Sequence, residues 1–203
     1  RAVDLTTLVA LSSIAAEQTK ATENTEKRVA QLLDYLHTHK DATIRYVATD
    51  MILNIHSDAS YLSETKARSR LGGTFFMGSS PVDGKPIQLN GPILVAASIC
   101  KFVVASAAEA ELGALFYNCQ DGTVLCLALE ELGHVQPPTP VHCDNSTAVS
   151  ITNDTVKNNG HVLWKRTSFG WWIKSHLEIS MLRGTQAKKT WPITSQNTST
   201  HGT

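Results

Sequence analysis

Met51-Ile52-Leu53-Asn54-Ile55-His56-Ser57-Asp58 is the stretch on which the fold turns. Four of its first five residues are apolar, and it closes in a polar run. A short apolar run of this length reads as a β-strand with a carboxylate at its end. Upstream, Leu5, Leu8, Val9, Leu11, Ile14 and Ala15 recur at helical spacing, and Val29, Leu32, Leu33 and Leu36 repeat it. Polar residues Glu17–Thr25 part the two stripes, so the first 40 residues read as a helical pair. Ile44, Tyr46 and Ala48 then suggest a short strand.

Downstream, Gly72-Gly73-Thr74-Phe75-Phe76-Met77 reads as a strand. Ser79-Ser80-Pro81-Val82-Asp83-Gly84 is turn chemistry. Pro86–Leu89 and Pro92–Val95 make a third strand broken at Asn90-Gly91. Ser106–Asn118 is rich in Ala, Glu and Leu and opens on a capping-box pair, Ser106 and Glu109. Val124–Leu132 reads as a separate helix stopped by Gly133. After the rigid Gln136–Pro140 connector, Val141–Asp144 is strand-like, and Asn145-Ser146 opens a helix to about Asn153. Three consecutive strands followed by alternating helix and strand predict an α/β domain with a mixed sheet flanked by helices.

The 18 basic and 18 acidic residues cancel, but not evenly along the chain. Residues 1–154 carry 11 basic and 17 acidic side chains, whereas 155–203 carry 7 basic ones and a single acid, Glu178. All four tryptophans, Trp164, Trp171, Trp172 and Trp191, also lie in that last quarter. Such a split is a prior for a basic arm meeting a polyanion. The apolar content of 42% suffices for a buried core, and no apolar run reaches membrane-span length. Arg1-Ala2-Val3-Asp4 has no signal-peptide character, and the chain reads as a fragment of something longer. Cys100, Cys119, Cys126 and Cys143 show no zinc-ligand spacing and read as buried, reduced thiols.

Three acids stand where an α/β site needs them. Asp58 closes a strand, Glu111 lies inside the helix after the sheet, and Asp144 closes a later strand. Carboxylates so placed can converge, and hard oxygen ligands suit Mg²⁺ or Mn²⁺. Alone they do not assign a function, because acids are mostly solvated and Asp144 also suits a helix cap.

The words around the acids say more. His56-Ser57-Asp58-Ala59-Ser60-Tyr61-Leu62-Ser63-Glu64 resembles the first motif of the ribonuclease H domain in copia-type LTR-retrotransposon Pol polyproteins. Ser106–Leu115 resembles the second, and Cys143-Asp144-Asn145-Ser146-Thr147-Ala148-Val149 the third. Arg1–Leu5 and Arg28–Ala48 resemble the segment that joins the reverse-transcriptase thumb to that domain. The resemblance implies a helical connector over 1–42, a ribonuclease H-like domain over 43–186, degraded after about 155, and an irregular tail over 187–203. It implies that Asp58, Glu111 and Asp144, with Glu109 the alternative on the helix, bind two Mg²⁺ or Mn²⁺ ions. Those ions would hydrolyse the RNA of an RNA–DNA hybrid to a 3′-hydroxyl and a 5′-phosphate. Asn145 and Ser146 would contact the hybrid backbone or cap the helix, and His134 and His142 lie near enough in sequence to approach Asp144. The reverse-transcriptase part of the same polyprotein is the implied partner. The implied location is the cytoplasm, in virus-like particles, and the nucleus.

The likeness falters after residue 154. Aligning Trp172-Ile173-Lys174 with the family's aromatic helix puts Thr167 where a fourth metal-binding Asp stands, and Asp154 is a poor substitute. Leu177–Ser180 and Gly184–Gln186 again resemble the family's last strand and turn, but Ala187–Pro192 lacks the acidic-aromatic motif that follows. The expectation is an impaired enzyme from a diverged or frame-shifted copy. The alternatives are a non-catalytic remnant that keeps the fold and a DNA-acting nuclease or integrase-type domain.

Overall fold

The computed structural model describes residues 4–64, 66–80 and 87–153, and the short strands 177–181 and 193–195. The chain divides into two compact units, 1–46 with 190–203, and 47–189.

In the first unit, α1 (Leu8–Ala15) and α2 (Glu23–Thr38) form the helical pair, and β1 (Ala42–Ile44) pairs antiparallel with β7 (Ile193–Ser195). Helix α2 starts where Thr22 and Thr25 cap each other's backbone N–H groups. Arg28 then ties α2 back to the end of α1, donating to Glu17 at 2.9 Å and Ser13 at 2.7 Å, and the Tyr35 hydroxyl reaches Thr6. The apolar stripe of α2 stays largely exposed at Val29, Leu33 and Leu36, so polar cross-links hold the pair. Residues 193–195 form a strand inside the stretch expected to be irregular.

The second unit is a five-stranded mixed sheet. Strands β2 (Ile52–Glu64), β3 (Arg68–Gly78) and β4 (Pro92–Ile99) run as an antiparallel meander. Helix α3 (Ala107–Glu131) crosses over to β5 (Thr139–Cys143), which lies parallel to β2. Helix α4 (Ser146–Thr152) follows, and β6 (Leu177–Met181) joins parallel to β5, giving the spatial order β4-β3-β2-β5-β6. One face of the sheet, with Leu53, Ile55, Phe75, Met77 and Val141, buries itself against Leu112, Leu115, Cys119, Cys126 and Leu129 of α3. Ala148 and Ile151 of α4 complete that core.

Three sequence expectations are corrected here. The strand through Tyr46 and Ala48 stops at Ile44, because the buried carboxamide of Asn90 takes the Val47 backbone. The third strand starts only at Pro92, because the same carboxamide also holds Met77 O at 2.8 Å and Gly91 N at 2.8 Å. Each such bond contributes about 1 kcal/mol net, so this one side chain organises the approach to the sheet. The two helices expected over 106–132 are one helix. Gly122 does not break it: Leu115, Cys119, Gly122, Cys126 and Leu129 form one buried stripe through it. A Cβ there would lie 2.5 Å from Ile55 Cδ1, so glycine lets the helix approach the sheet closely. The helix ends at Glu131, capped by Leu132 and followed by Gly133 at φ +91.

Helix propensity alone favours Gly122→Ala by about 1 kcal/mol, but overpacking a closed core costs about 1–3 kcal/mol. Gly122→Ala should therefore lower stability in thermal or denaturant unfolding. Adding Ile55→Val, which removes the clashing methyl, should recover part of the loss. A Gly122→Ala variant more stable than the parent would contradict the close helix–sheet approach.

Candidate metal centre

The pairing of β2 with β5 sets the site. Ser57 lies opposite Cys143 in the parallel register, so the next residues, Asp58 and Asp144, stand side by side where β5 ends. Strand β2 does not close at Asp58 as expected but continues to Glu64 against β3. Both are exposed, while Glu111 approaches from α3 and is only 5% exposed. Its carboxylate is held from two sides. Ala59 N–H donates to Oε1 at 3.1 Å, and the Cys143 thiol donates to Oε2 at 3.7 Å. Ligand atoms of Glu111, Cys143 and Asp144 all lie within 4.8 Å of one another. Asp58 is close enough to raise the Glu111 pKa electrostatically.

The electrostatics follow from this crowding. Burial, then the charge of Asp58, then that of Asp144 push Glu111 up to about 7, against the lowering by its hydrogen bonds to Ala59 and Cys143. Asp58 is raised as well, by burial and by Asp144. Burial holds the Cys143 thiol at about 12, so it acts as an S–H donor to a carboxylate and not as a thiolate. With the thiol protonated, the hard donors on hand are the Glu111 and Asp144 carboxylates, with Asp58 beside Asp144 in the sheet, and such oxygens fit Mg²⁺ or Mn²⁺.

The other sequence candidates take different places. Glu109 accepts from Ala105 N at 2.6 Å, and its own N–H bonds the Ser106 hydroxyl, so its carboxylate serves the start of α3. Asn145 accepts from Ala148 N at 3.0 Å as the cap of α4, and Ser146 is an exposed first residue of that helix. His142 packs edge-on against its cross-strand neighbour His56, ring centroids 5.2 Å apart. His134 follows the end of α3, its N–H on Leu129 O. Thr167, Asp154 and Trp171-Trp172 lie outside the described residues. All four cysteines are buried and unpaired.

Two contributors were not anticipated from sequence. Cys143 reads from sequence as a buried thiol with no role at the site, yet that thiol lies on Glu111. Asn118 donates to Ser57 Oγ at 2.9 Å and to Gly72 O at 2.8 Å, directly beside Asp58. A polar residue within the apolar stripe of α3 was the available signal for it.

A mixed sheet with a three-strand antiparallel meander, two further parallel strands and the order β4-β3-β2-β5-β6, flanked by helices, is the ribonuclease H-like α/β fold. No family model and no curated protein matches the sequence. Among solved structures the chain is similar to LC11-RNase H1 in complex with an RNA/DNA hybrid, at 13% identity, 66% of this chain, 87% of that one and TM-score 0.46. It is also similar to RNase H1 from Halobacterium salinarum NRC-1, at 12% identity, 66% and 88% coverage and TM-score 0.43. The foamy viral protease-reverse transcriptase in complex with dsDNA matches at 15% identity, 71% and 90% coverage and TM-score 0.34. The fold assignment stands on strand order and register, and the activity is argued from the site.

The raised Glu111 pKa has a definite sign. Its folded value of about 7 exceeds the ordinary 4.5, so its contribution to stability is present at low pH and lost as pH rises through about 7. A Mn²⁺ ion held by Glu111 would have to displace this proton. Calorimetric Mn²⁺ affinity should rise between pH 6 and 8, with proton release measurable in buffers of different ionisation enthalpy. Glu111→Gln should abolish both, and an affinity flat across that range would exclude Glu111 as a ligand.

The histidines act in the opposite sense. Burial lowers His56 and His142 to about 4, with His56 adding to the shift on His142. The unfolded chain thus binds these protons first, and stability is full above pH 6.5 and lost as pH falls towards 4. The melting temperature should drop across that window, and less steeply in a His56→Phe variant. An equal slope in that variant would show that other groups set the acid limb.

Proposed function

We propose that the chain is a ribonuclease H-type hydrolase whose metal-binding carboxylates are Asp58, Glu111 and Asp144. The observation that carries this reading is the closeness of Glu111 and Asp144, with Asp58 set beside Asp144 by the β2–β5 register and near enough to help raise Glu111 to about 7. Mg²⁺ or Mn²⁺ held there would supply an activated water and charge stabilisation for in-line attack on a phosphodiester. The protein's own groups do the rest. Ala59 N–H and the Cys143 thiol orient Glu111, while exposed Asp58 and Asp144 present their oxygens to solvent, where a nucleic-acid backbone has access. The substrate proposed from the sequence resemblance is the RNA strand of an RNA–DNA hybrid, and the source a copia-type retrotransposon Pol polyprotein with reverse transcriptase as partner.

Thr167 stands where that resemblance calls for a fourth acid. A hydroxyl does not replace a charged ligand, so turnover is expected to be slow. Incubation of the chain with a labelled RNA–DNA hybrid and Mg²⁺ or Mn²⁺ should give weak cleavage that Asp58→Asn removes. Thr167→Asp should raise it by tenfold or more, on the order of a lost metal contact. Cleavage of duplex DNA in preference to the hybrid would replace this reading with a DNA-acting nuclease. Mn²⁺ binding with no cleavage of any substrate, even by Thr167→Asp, would leave a non-catalytic remnant.

A further inference from the structure

We propose that Asn118 is a positioning residue that sets where Glu111 stands relative to Asp58, an inference that rests on the metal-site reading above. Asn118 is 3% exposed, and its Nδ2 donates to Ser57 Oγ at 2.9 Å and to Gly72 O at 2.8 Å. Both acceptors flank Asp58: Ser57 precedes it on β2, and Gly72 is its cross-strand partner on β3. On α3, Asn118 follows Glu111 by seven residues, two helical turns along the same face. The helix is thus tied to the sheet at two points about 10 Å apart. One is Glu111 to Ala59 N and the other is Asn118 to Ser57 and Gly72.

The stripe around Asn118 is otherwise Leu115, Cys119 and Gly122, whose packing is non-directional. Apolar contact alone lets a helix slide along a sheet, whereas two hydrogen bonds with fixed geometry do not. Metal ligation tolerates deviations of only about 0.2 Å, so a slip of α3 that costs little packing would still misplace the Glu111 oxygens. The sheet makes room for this clip at Gly73, the partner of Ser57, where any Cβ would overlap the Asn118 carboxamide. Asn118 touches no reacting group and acts through Glu111.

Gly73 supplies the means to separate positioning from packing. Asn118→Ala leaves a hole that the methyl of Gly73→Ala occupies, so the double variant restores volume without the hydrogen bonds. In the full 203-residue chain, thermal unfolding should show Asn118→Ala destabilised and the double variant recovered. Mn²⁺ titration by calorimetry should show both weakened by about tenfold or more, with no recovery in the double variant. Asn118→Leu, of similar volume, should behave as the double variant does, and Ser57→Ala, which removes one acceptor, should weaken Mn²⁺ about threefold. These last two keep the test decisive should the double variant fail to fold. Mn²⁺ affinity that recovers together with stability, or that stays at the parent value in Asn118→Leu and Ser57→Ala, overturns the positioning role and leaves the metal site standing. A parent chain that binds no Mn²⁺ overturns the site reading and this inference with it.

Discussion

The parallel pairing of β2 with β5 is the constraint from which the rest of the second unit follows. Only three residue pairs define it, Ile55 with Val141, His56 with His142 and Ser57 with Cys143. Parallel neighbours cannot be joined by a tight turn and need a crossover across one face of the sheet. That crossover is α3, and its path brings Glu111 over the middle of β2, where Ala59 N–H meets it. Two carboxylates are set side by side by the ladder and the third by the connection the ladder demands. The close approach at Gly122 and the Asn118 clip both serve this one crossing.

Much of this was legible in the sequence, for a physical reason. The apolar run before Asp58, the capping box before Glu111 and the helix start after Asp144 are local signals, and local signals survive without tertiary context. The stretch from Asn118 to Val124 misleads, because it reads as a gap between two helices. The expected break spans the polar Gln120 and Asp121 and Gly122, yet the stripe of Leu115, Cys119, Cys126 and Leu129 keeps helical phase straight through it. Asp121 faces solvent, Asn118 is buried against the sheet, and the gap in side-chain volume at Gly122 is filled by Ile55.

The features that could not be read are those whose partners are distant in sequence. Asn90 looks like half of a turn, yet its carboxamide stands in for a strand neighbour to Val47 and Met77. Gln136 does the same for β2, bonding Leu53 N and Met51 O with both ends of its amide before β5 begins. The Cys143 thiol meets a carboxylate 32 residues away. The uneven charge along the chain also takes on a different meaning. The acidic side of the split holds Asp58, Glu111 and Asp144, whose repulsion raises the pKa of the first two, and the basic side lies almost wholly beyond the described residues.

The order of the strands along the chain has a kinetic consequence. The β2-β3 hairpin closes through residues 65–67 and β4 follows after residues 79–91, whereas β5 must return to β2 from the far side of a 25-residue helix. Loop-closure entropy makes the first step cheap and the second costly. Asp58 is therefore in place on a formed hairpin well before Asp144 can reach it. The unfavourable meeting of like charges falls on the last closure, when the apolar surface of α3 is ready to be buried with it. A chain stalled before that closure would expose the uncovered face of its meander, an edge of β2 included, and it is in that interval that aggregation competes with folding.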